Sequence, residues 1–320
     1  MGEAVRPIVV FSKCITFAPC RYNGLIIADE FVERLRPYVE ARPVCAEMEI
    51  GLGVPRDPVR VVDVDGELRL LQPATKRDVT AEMQSFCESF LGSLPGVHGF
   101  ILKGRSPSCG MKDVRVHSAA GKSAGRDRGF FGGAVLDHFP HLAVEDEGRL
   151  RNWRIREHFL TKLYTLARFD RARAANAMRA LVQFHSANKF LLMAYNQKEL
   201  RALGRIVANP QKRPVSDVLA DYEQHLLSAF ARVPRYTSNI NVLMHGLGYF
   251  SKGLTAAERA FFLETLEKYR AGRVPLSVPL GVLNAWIVRF DEGYLRQQTF
   301  FQPYPEELME ISDSGKGRNL

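Results

Sequence analysis

The stretch VHGFILKGRSPSCG (97–110) decides how the first half of the chain is read. A short apolar run stops at Lys103-Gly104, and a polar loop with Arg105, Ser106, Ser108 and a single thiol, Cys109, follows against Gly110. An apolar run of this length bounded by glycine and proline reads as a buried strand. The same figure recurs on either side. PIVVFS (7–12) is a strand with Cys14 just beyond it, and RPVCAE (42–47) is a strand with Cys45 near its end. Helical patterns separate these strands: ADEFVERLRPYVE (28–40), interrupted by Pro37 near its end, and DVTAEMQSFCESFLGSL (78–94). VRVVDVDGELRLLQ (59–72) reads as a hairpin turning at Asp65-Gly66, a favoured two-residue turn. GFFGGAVLDHFP (129–140) reads as a glycine-opened helix, and GKSAGRDRG (121–129) as a mobile basic loop. The expectation is an α/β domain with an open, mainly parallel, Rossmann-like sheet.

The second half reads as all-α. The candidate helices are 150–169, 171–195, 255–272 and 275–290; the third opens on a capping box, Thr255 to Glu258, and closes at Gly272. The expected organisation is an α/β domain at 1–150, a helical linker at 151–180, a helical domain at 181–310 and a frayed tail at 311–320.

Charge separates the halves as well. Residues 1–150 carry 19 Lys+Arg against 20 Asp+Glu, whereas 151–320 carry 25 against 15, a net of +10. A one-sided basic excess suits either a polyanionic partner or a solvated helical surface. No stretch approaches 18 uninterrupted apolar residues, and the first apolar run is too short for a signal peptide, so a cytoplasmic protein with no membrane partner is expected. Its five cysteines are then read as thiols, ligands or core residues.

In an open parallel sheet the carboxyl ends of the strands share one edge, and ligands bind there. Cys14, Cys45 and Cys109 all lie at such ends, and Cys20 in APCRYNG lies near the same edge. Cys87 shares a helix register with Met83 and Phe90 and reads as core. Zinc sites favour paired CxxC spacings, absent here; thiolates also select iron–sulfur clusters. A cubane held by three cysteines leaves one iron open to act as a Lewis acid. No GxGxxG or Walker motif is present, so no nucleoside triphosphate is expected. His185, His225 and His245 lack metal-ligand spacing.

SKCITFAPCRYNG (12–24), CAEMEIGLGVPRDPVRVV (45–62) and FILKGRSPSCG (100–110) resemble the three signature blocks of the bacterial thiouracil desulfidases. HSANKFLLMAYNQKELRALGRIVA (185–208), HGLGYFSKGLTAAERAFFLETLEKYRAGRVPLSVPL (245–280) and YLRQQTFFQPYP (294–305) resemble the YbgA-like helical domain. The fused architecture is similar to that of two-domain desulfidases acting on 4-thiouridine in tRNA. The resemblance implies a 4Fe-4S cluster on Cys14, Cys45 and Cys109 with one open iron, and a non-redox, hydrolytic conversion of 4-thiouridine to uridine with release of hydrosulfide. It implies Glu47 as the catalytic carboxylate and Ser106 as the catalytic hydroxyl; Cys20, Glu49 and Ser108 are additional candidates. The family's Cys-Pro-Glu reads Cys45-Ala46-Glu47, which keeps the spacing, and Asn23 stands where an Asp is common.

Lys103, Arg105 and Arg126 are candidates to receive phosphates near the reacting base. Arg201, Arg205, Lys212, Arg213, Lys268 and Arg270 would supply the tRNA grip of the helical domain. Tyr249, Phe250 and Tyr304 are stacking candidates. Two other readings stand beside this one: a desulfidase of free thiouracil or thiouridine, and a zinc-stapled, non-catalytic RNA-binding adaptor.

Overall fold

The run IVVFS forms β1 (Ile8–Ser12), and its Val9, Val10 and Phe11 are fully buried. The chain continues through α1 (Glu30–Leu35), β2 (Glu40–Val44) and the short α2 (Ala46–Glu49). There follow β3 (Arg60–Val64), β4 (Glu67–Gln72), β5 (Arg77–Asp78) and α3 (Thr80–Gly92). Next come β6 (Gly99–Leu102), β7 (Val114–Ser118), β8 (Ser123–Asp127), α4 (Phe130–His138), β9 (Ala143–Asp146) and α5 (Trp153–Ala174). The computed structural model describes residues 5–309, so the tail expected at 311–320 lies outside the described residues.

Two sheets form. The first has order β2-β1-β6-β9 and is parallel throughout; its central strands β1 and β6 are the apolar runs, buried on both faces as parallel strands are. The second has order β5-β4-β3-β7-β8 and is mostly antiparallel; only β3 and β7 run together. Its β3–β4 hairpin turns at Asp65 (φ 53°) and Gly66 (φ 87°), the positive dihedrals that an Asp-Gly turn supplies. A continuous core joins Val10 and Phe100 of the first sheet, Val61 and Leu70 of the second, Met83 and Cys87 of α3 and Phe131 and Val135 of α4. Cys87 is thus a core residue. On the far side of the first sheet, Leu163 of α5 lies so close to Gly99 that a Cβ there would fall 2.9 Å from its side chain.

The described residues fall into two compact units, 5–167 with 307–309, and 168–306. The second is helical: α6 (Met178–Ala187), α7 (Lys189–Tyr195), α8 (Gln197–Ala208), α9 (Val215–Ala229), α10 (Tyr236–Tyr249), α11 (Ala256–Arg270), α12 (Ser277–Arg289) and α13 (Gly293–Arg296). The Thr255–Glu258 capping box is formed in both directions, and Gly272 closes that helix at φ 69°. No described helix is long and apolar enough to cross a membrane.

Four local readings are corrected. The helix expected at 28–40 is α1 alone, started by the Asp29 side chain accepting from Val32 N–H, and Arg36-Pro37-Tyr38 tightens into a 3-10 turn. The strand expected to 47 stops at Val44, because Cys45 begins α2. The helix expected at 171–195 is broken at Asn176, in left-handed backbone, and again at Asn188. The segment expected as a basic loop at 121–129 contains β8, paired along β7.

Candidate functional site

The carboxyl ends of the parallel strands set the thiols side by side. Cys14 lies two residues past β1 and Cys45 directly past β2; the Lys13 N–H to Val44 carbonyl bond carries their pairing beyond the strands. β6 is the other neighbour of β1, and its end is tied to Ser12, whose Oγ accepts from Lys103 N–H at 2.8 Å. Cys109 returns to this edge through a closed turn. Ser106 Oγ accepts from the N–H groups of Ser108 (3.3 Å) and Cys109 (3.1 Å), and Gly110 N–H donates to Ser106 O.

The start of α4 holds that turn in place. Gly129 N–H donates to Gly110 O at 2.7 Å, Phe130 N–H to Pro107 O, and Gly132 N–H to Ser108 O at 2.9 Å. A Cβ on Gly132 would lie 2.4 Å from Gly110 O and 2.5 Å from Cys109 O. Gly129 and Gly132 of GFFGGA are therefore there for close backbone approach to the thiol turn.

All four thiols at this edge are free and nearly buried: Cys14 9% exposed, Cys20 3%, Cys45 9% and Cys109 8%. The Cys20 thiol has those of Cys14 and Cys45 as neighbours, and the Cys45 Sγ donates to the Cys20 carbonyl oxygen at 3.8 Å. The Cys14 contact, ahead of burial, pushes the Cys20 thiol up. Cys45 is pushed up strongly by its contact with Cys20 and by burial. Cys109 is pushed up to about 12 by burial, against the lowering effect of the Ser12 and Ser106 hydroxyls; Cys45 acts on it as a neighbouring charge. Among the described residues no three His, Cys, Asp or Glu side chains converge on a single metal ion. The donor set is nonetheless all sulfur, dry and drawn from neighbouring strands, which suits a thiolate-bound iron–sulfur cluster. A cationic centre would oppose the burial and neighbouring charge that raise the Cys20, Cys45 and Cys109 thiols.

Glu47, in the first turn of α2, points one carboxylate oxygen at each of two partners. Ser108 Oγ donates to Oε1 at 2.9 Å, and Arg56 Nε donates to Oε2 at 2.7 Å. The Arg56 side chain is 4% exposed and that of Glu47 13%. Arg56 also donates to the carbonyls of Cys20 (3.1 Å) and Gly53 (2.8 Å), so one guanidinium ties the carboxylate to the thiol loop. Ser108 is fully buried. Ser106, half-buried, is engaged with its own turn, and Glu49 is exposed. Arg56 was not singled out from the sequence. The only hint there is a lone arginine following the apolar, glycine-rich run GLGVP.

The basic candidates fall in several settings. Lys103 Nζ is bound to Glu147 Oε1 at 2.6 Å and to Gly104 O, which joins the ends of β6 and β9. Arg105 is exposed in left-handed backbone (φ 59°), and Arg126 is exposed on β8. In the helical unit Arg201 and Arg205 are exposed on α8, Lys212 is exposed, and Arg213 is paired with Asp221 at 2.6 Å. Lys268 and Arg270 on α11 pair with Glu264 and Glu267. His185 contacts the Tyr222 hydroxyl and His225 contacts Glu199; His245 is exposed. Phe250 and Tyr304 are buried, whereas Tyr249 is exposed and stacked on Tyr294.

The fold and site define an α/β domain with thiols, a clamped carboxylate and a buried hydroxyl at the carboxyl edge of a parallel sheet, a donor set that would suit a soft metal centre. Residues 9–147 match the family model described as 2-thiouracil desulfurase, and residues 189–305 match one described as a protein of unknown function. The first half of the chain is thus similar to the 2-thiouracil desulfurases, and the chain is also similar to YbgA. YbgA of Escherichia coli (strain K12) is 28% identical over 151 residues, covering 47% of this chain and 89% of that protein. YbbK of Bacillus subtilis (strain 168) is 28% identical over 124 residues, covering 36% of this chain and 81% of that protein. Both relatives are uncharacterized. A solved structure of the [4Fe-4S]-dependent thiouracil desulfidase TudS aligns with 28% identity and a TM-score of 0.37, over 45% of this chain and 93% of its own.

Proposed function

We propose that the protein is an iron–sulfur-dependent desulfidase that exchanges the thiocarbonyl sulfur of a thiolated pyrimidine for oxygen, with 4-thiouridine in tRNA as substrate. The observation that carries this reading is the Glu47 carboxylate, fixed by Ser108 and Arg56 beside four buried thiols in a chain whose first half is similar to the 2-thiouracil desulfurases. Cys14, Cys45 and Cys109 would hold the cluster, with Cys20 adjoining. The chemistry such a centre supplies is Lewis-acid polarisation of a thiocarbonyl.

The protein's own groups do the rest. Water attacks the carbon, a C–O bond forms, the C–S bond breaks, and the water protons leave with the sulfur as hydrosulfide and a proton; no electrons are exchanged. Glu47 takes the water proton in this scheme. Its orientation is set twice, by the Ser108 O–H and by Arg56, so the base needs no reorganisation when charge moves. Ser106 braces the backbone that carries Cys109 and Ser108.

The net charge of +10 on residues 151–320 supports an RNA substrate over the free base. The deciding experiment is anaerobic reconstitution with iron and sulfide, then loss of thiocarbonyl absorbance from thiolated tRNA and, separately, from free thiouracil. Turnover of the tRNA at the higher kcat/KM is expected. Preference for the free base would move the substrate, and a colourless, zinc-loaded and inactive protein would overturn the enzyme reading.

A further inference from the structure

The second sheet carries a row of arginines across three neighbouring strands. On β7, Val114 and Val116 are buried and Arg115 between them is exposed, so Arg115 stands on the outer face. In the β7–β8 pairing Arg115 is directly opposite Arg126, which puts both side chains on that face. β3 runs parallel on the other side of β7, with Val61 beside Val116. One residue back along that register come Arg60 and Arg115, and Arg60 is also exposed. The order across the sheet is therefore Arg60, Arg115, Arg126, spanning about 10 Å at the usual strand spacing.

This row is nearly bare of carboxylates. Arg126 reaches Asp113 only at 4.0 Å, and among the described residues neither Arg60 nor Arg115 has an acidic oxygen within that distance. By contrast the arginines of β4 and β5 are paired: Arg69 with Glu67 at 2.6 Å and Arg77 with Glu82 at 3.3 Å. Like charges directly opposite on a sheet cost stability. The hairpin also brings Lys112 and Lys122, both exposed. Its base is the Gly129 N–H to Gly110 O bond, one residue from Cys109. From Cys109 to Arg115 is at most about 20 Å of chain.

We infer that Arg60, Arg115 and Arg126 form a phosphate-binding row that seats the RNA backbone on the catalytic domain itself, next to the nucleotide being processed. This rests on the tRNA reading above and extends it: the grip is not confined to the helical unit. A row of planar, five-donor cations, of which only Arg126 has a carboxylate partner and that one at 4.0 Å, suits successive phosphates and reads no sequence. The repulsion within the row is the cost that a bound polyanion relieves.

The test is the triple variant Arg60→Gln, Arg115→Gln, Arg126→Gln against wild type, with Arg77→Gln as control. Anisotropy of a labelled, in-vitro transcribed tRNA is followed over a salt series, and thermal midpoints are taken alongside. The expected result is binding weakened roughly tenfold or more near 0.1 M salt, with the slope of log K against log salt reduced by about 2. The thermal midpoint should equal or exceed that of wild type, since repulsion is removed. A merely structural row would instead lose stability. Unchanged affinity and slope in the triple variant, with wild type binding tRNA, overturn the row and leave the substrate reading standing. Failure of wild type to bind tRNA overturns both.

Discussion

Alanine at Gly132 and alanine at Gly133 should act in opposite directions, although the two sites are adjacent in the first turn of α4. At Gly133 a new Cβ would meet nothing nearer than Arg128 Cβ at 3.5 Å, an ordinary contact. The helix then gains about 0.5–1 kcal/mol from losing a glycine. At Gly132 the same Cβ would sit 2.4 Å from Gly110 O and 2.5 Å from Cys109 O, about 1 Å inside normal contact, and both are backbone atoms of a closed turn. Relief requires α4 to back away, which strains the Gly129 N–H to Gly110 O and Gly132 N–H to Ser108 O bonds. Overpacking costs about 1–3 kcal/mol and each weakened bond up to about 1. After the helix gain, Gly132→Ala should lose about 2–4 kcal/mol. At about 2–4 °C per kcal/mol, the midpoint should fall by about 5–15 °C, while Gly133→Ala should rise by about 1–4 °C. Anaerobic iron loading, measured on both, should fall for Gly132→Ala and hold for Gly133→Ala. A Gly132→Ala protein as stable as wild type and fully loaded would refute the close-packing account of the Cys109 turn.

Other outcomes follow from the same contacts. Arg56→Met leaves a nearly buried Glu47 without its cationic partner; urea unfolding should show a loss of about 3–5 kcal/mol, and Arg56→Lys should restore only part, because a lysine cannot reach the carboxylate and the Cys20 and Gly53 carbonyls together. Cys14→Ser, Cys45→Ser and Cys109→Ser should each abolish cluster absorbance after reconstitution, whereas Cys87→Ser, in the α3 core, should keep it. Burial, only partly offset by Arg156 and Arg154, raises Glu157 from 4.5 to about 7. The folded state then holds a proton that the unfolded chain has released, so stability falls as pH rises from about 4.5 to about 7. That gap is worth about 3 kcal/mol; Glu157→Gln should be the more stable protein by up to about that amount at pH 8 and equal to wild type at pH 4, read from urea midpoints at the two pH values.

The parallel sheet was legible because its strands are apolar runs cut by turn residues, and the Asp65-Gly66 hairpin and the Thr255 capping box carry their chemistry locally. β8 was not. Its sequence SAGRD has no β-branched or aromatic residue, and only pairing along β7 makes it a strand. Nor could spacing tell which serine of RSPSCG turns inward. The geometry directs Ser108 to Glu47 and Ser106 to its own turn. Arg56 was hidden for a different reason. Its partners come from residues 20, 47 and 53, and nothing in one segment announces a guanidinium shared among three. The glycines of GFFGGA lacked the lysine of a phosphate loop, and the use of Gly129 and Gly132 shows only when α4 meets the Cys109 turn.

The cysteine edge comes into being only when β1 has found β2 on one side and β6 on the other, partners that lie far along the chain. Such non-local parallel pairing is intrinsically slow, because loop-closure entropy has to be met first. A newly made chain therefore passes through a period in which the sulfurs are dispersed and open to oxidants. On the proposed function, iron delivery would have to wait for a finished scaffold, and cofactor content would gauge how many molecules completed it.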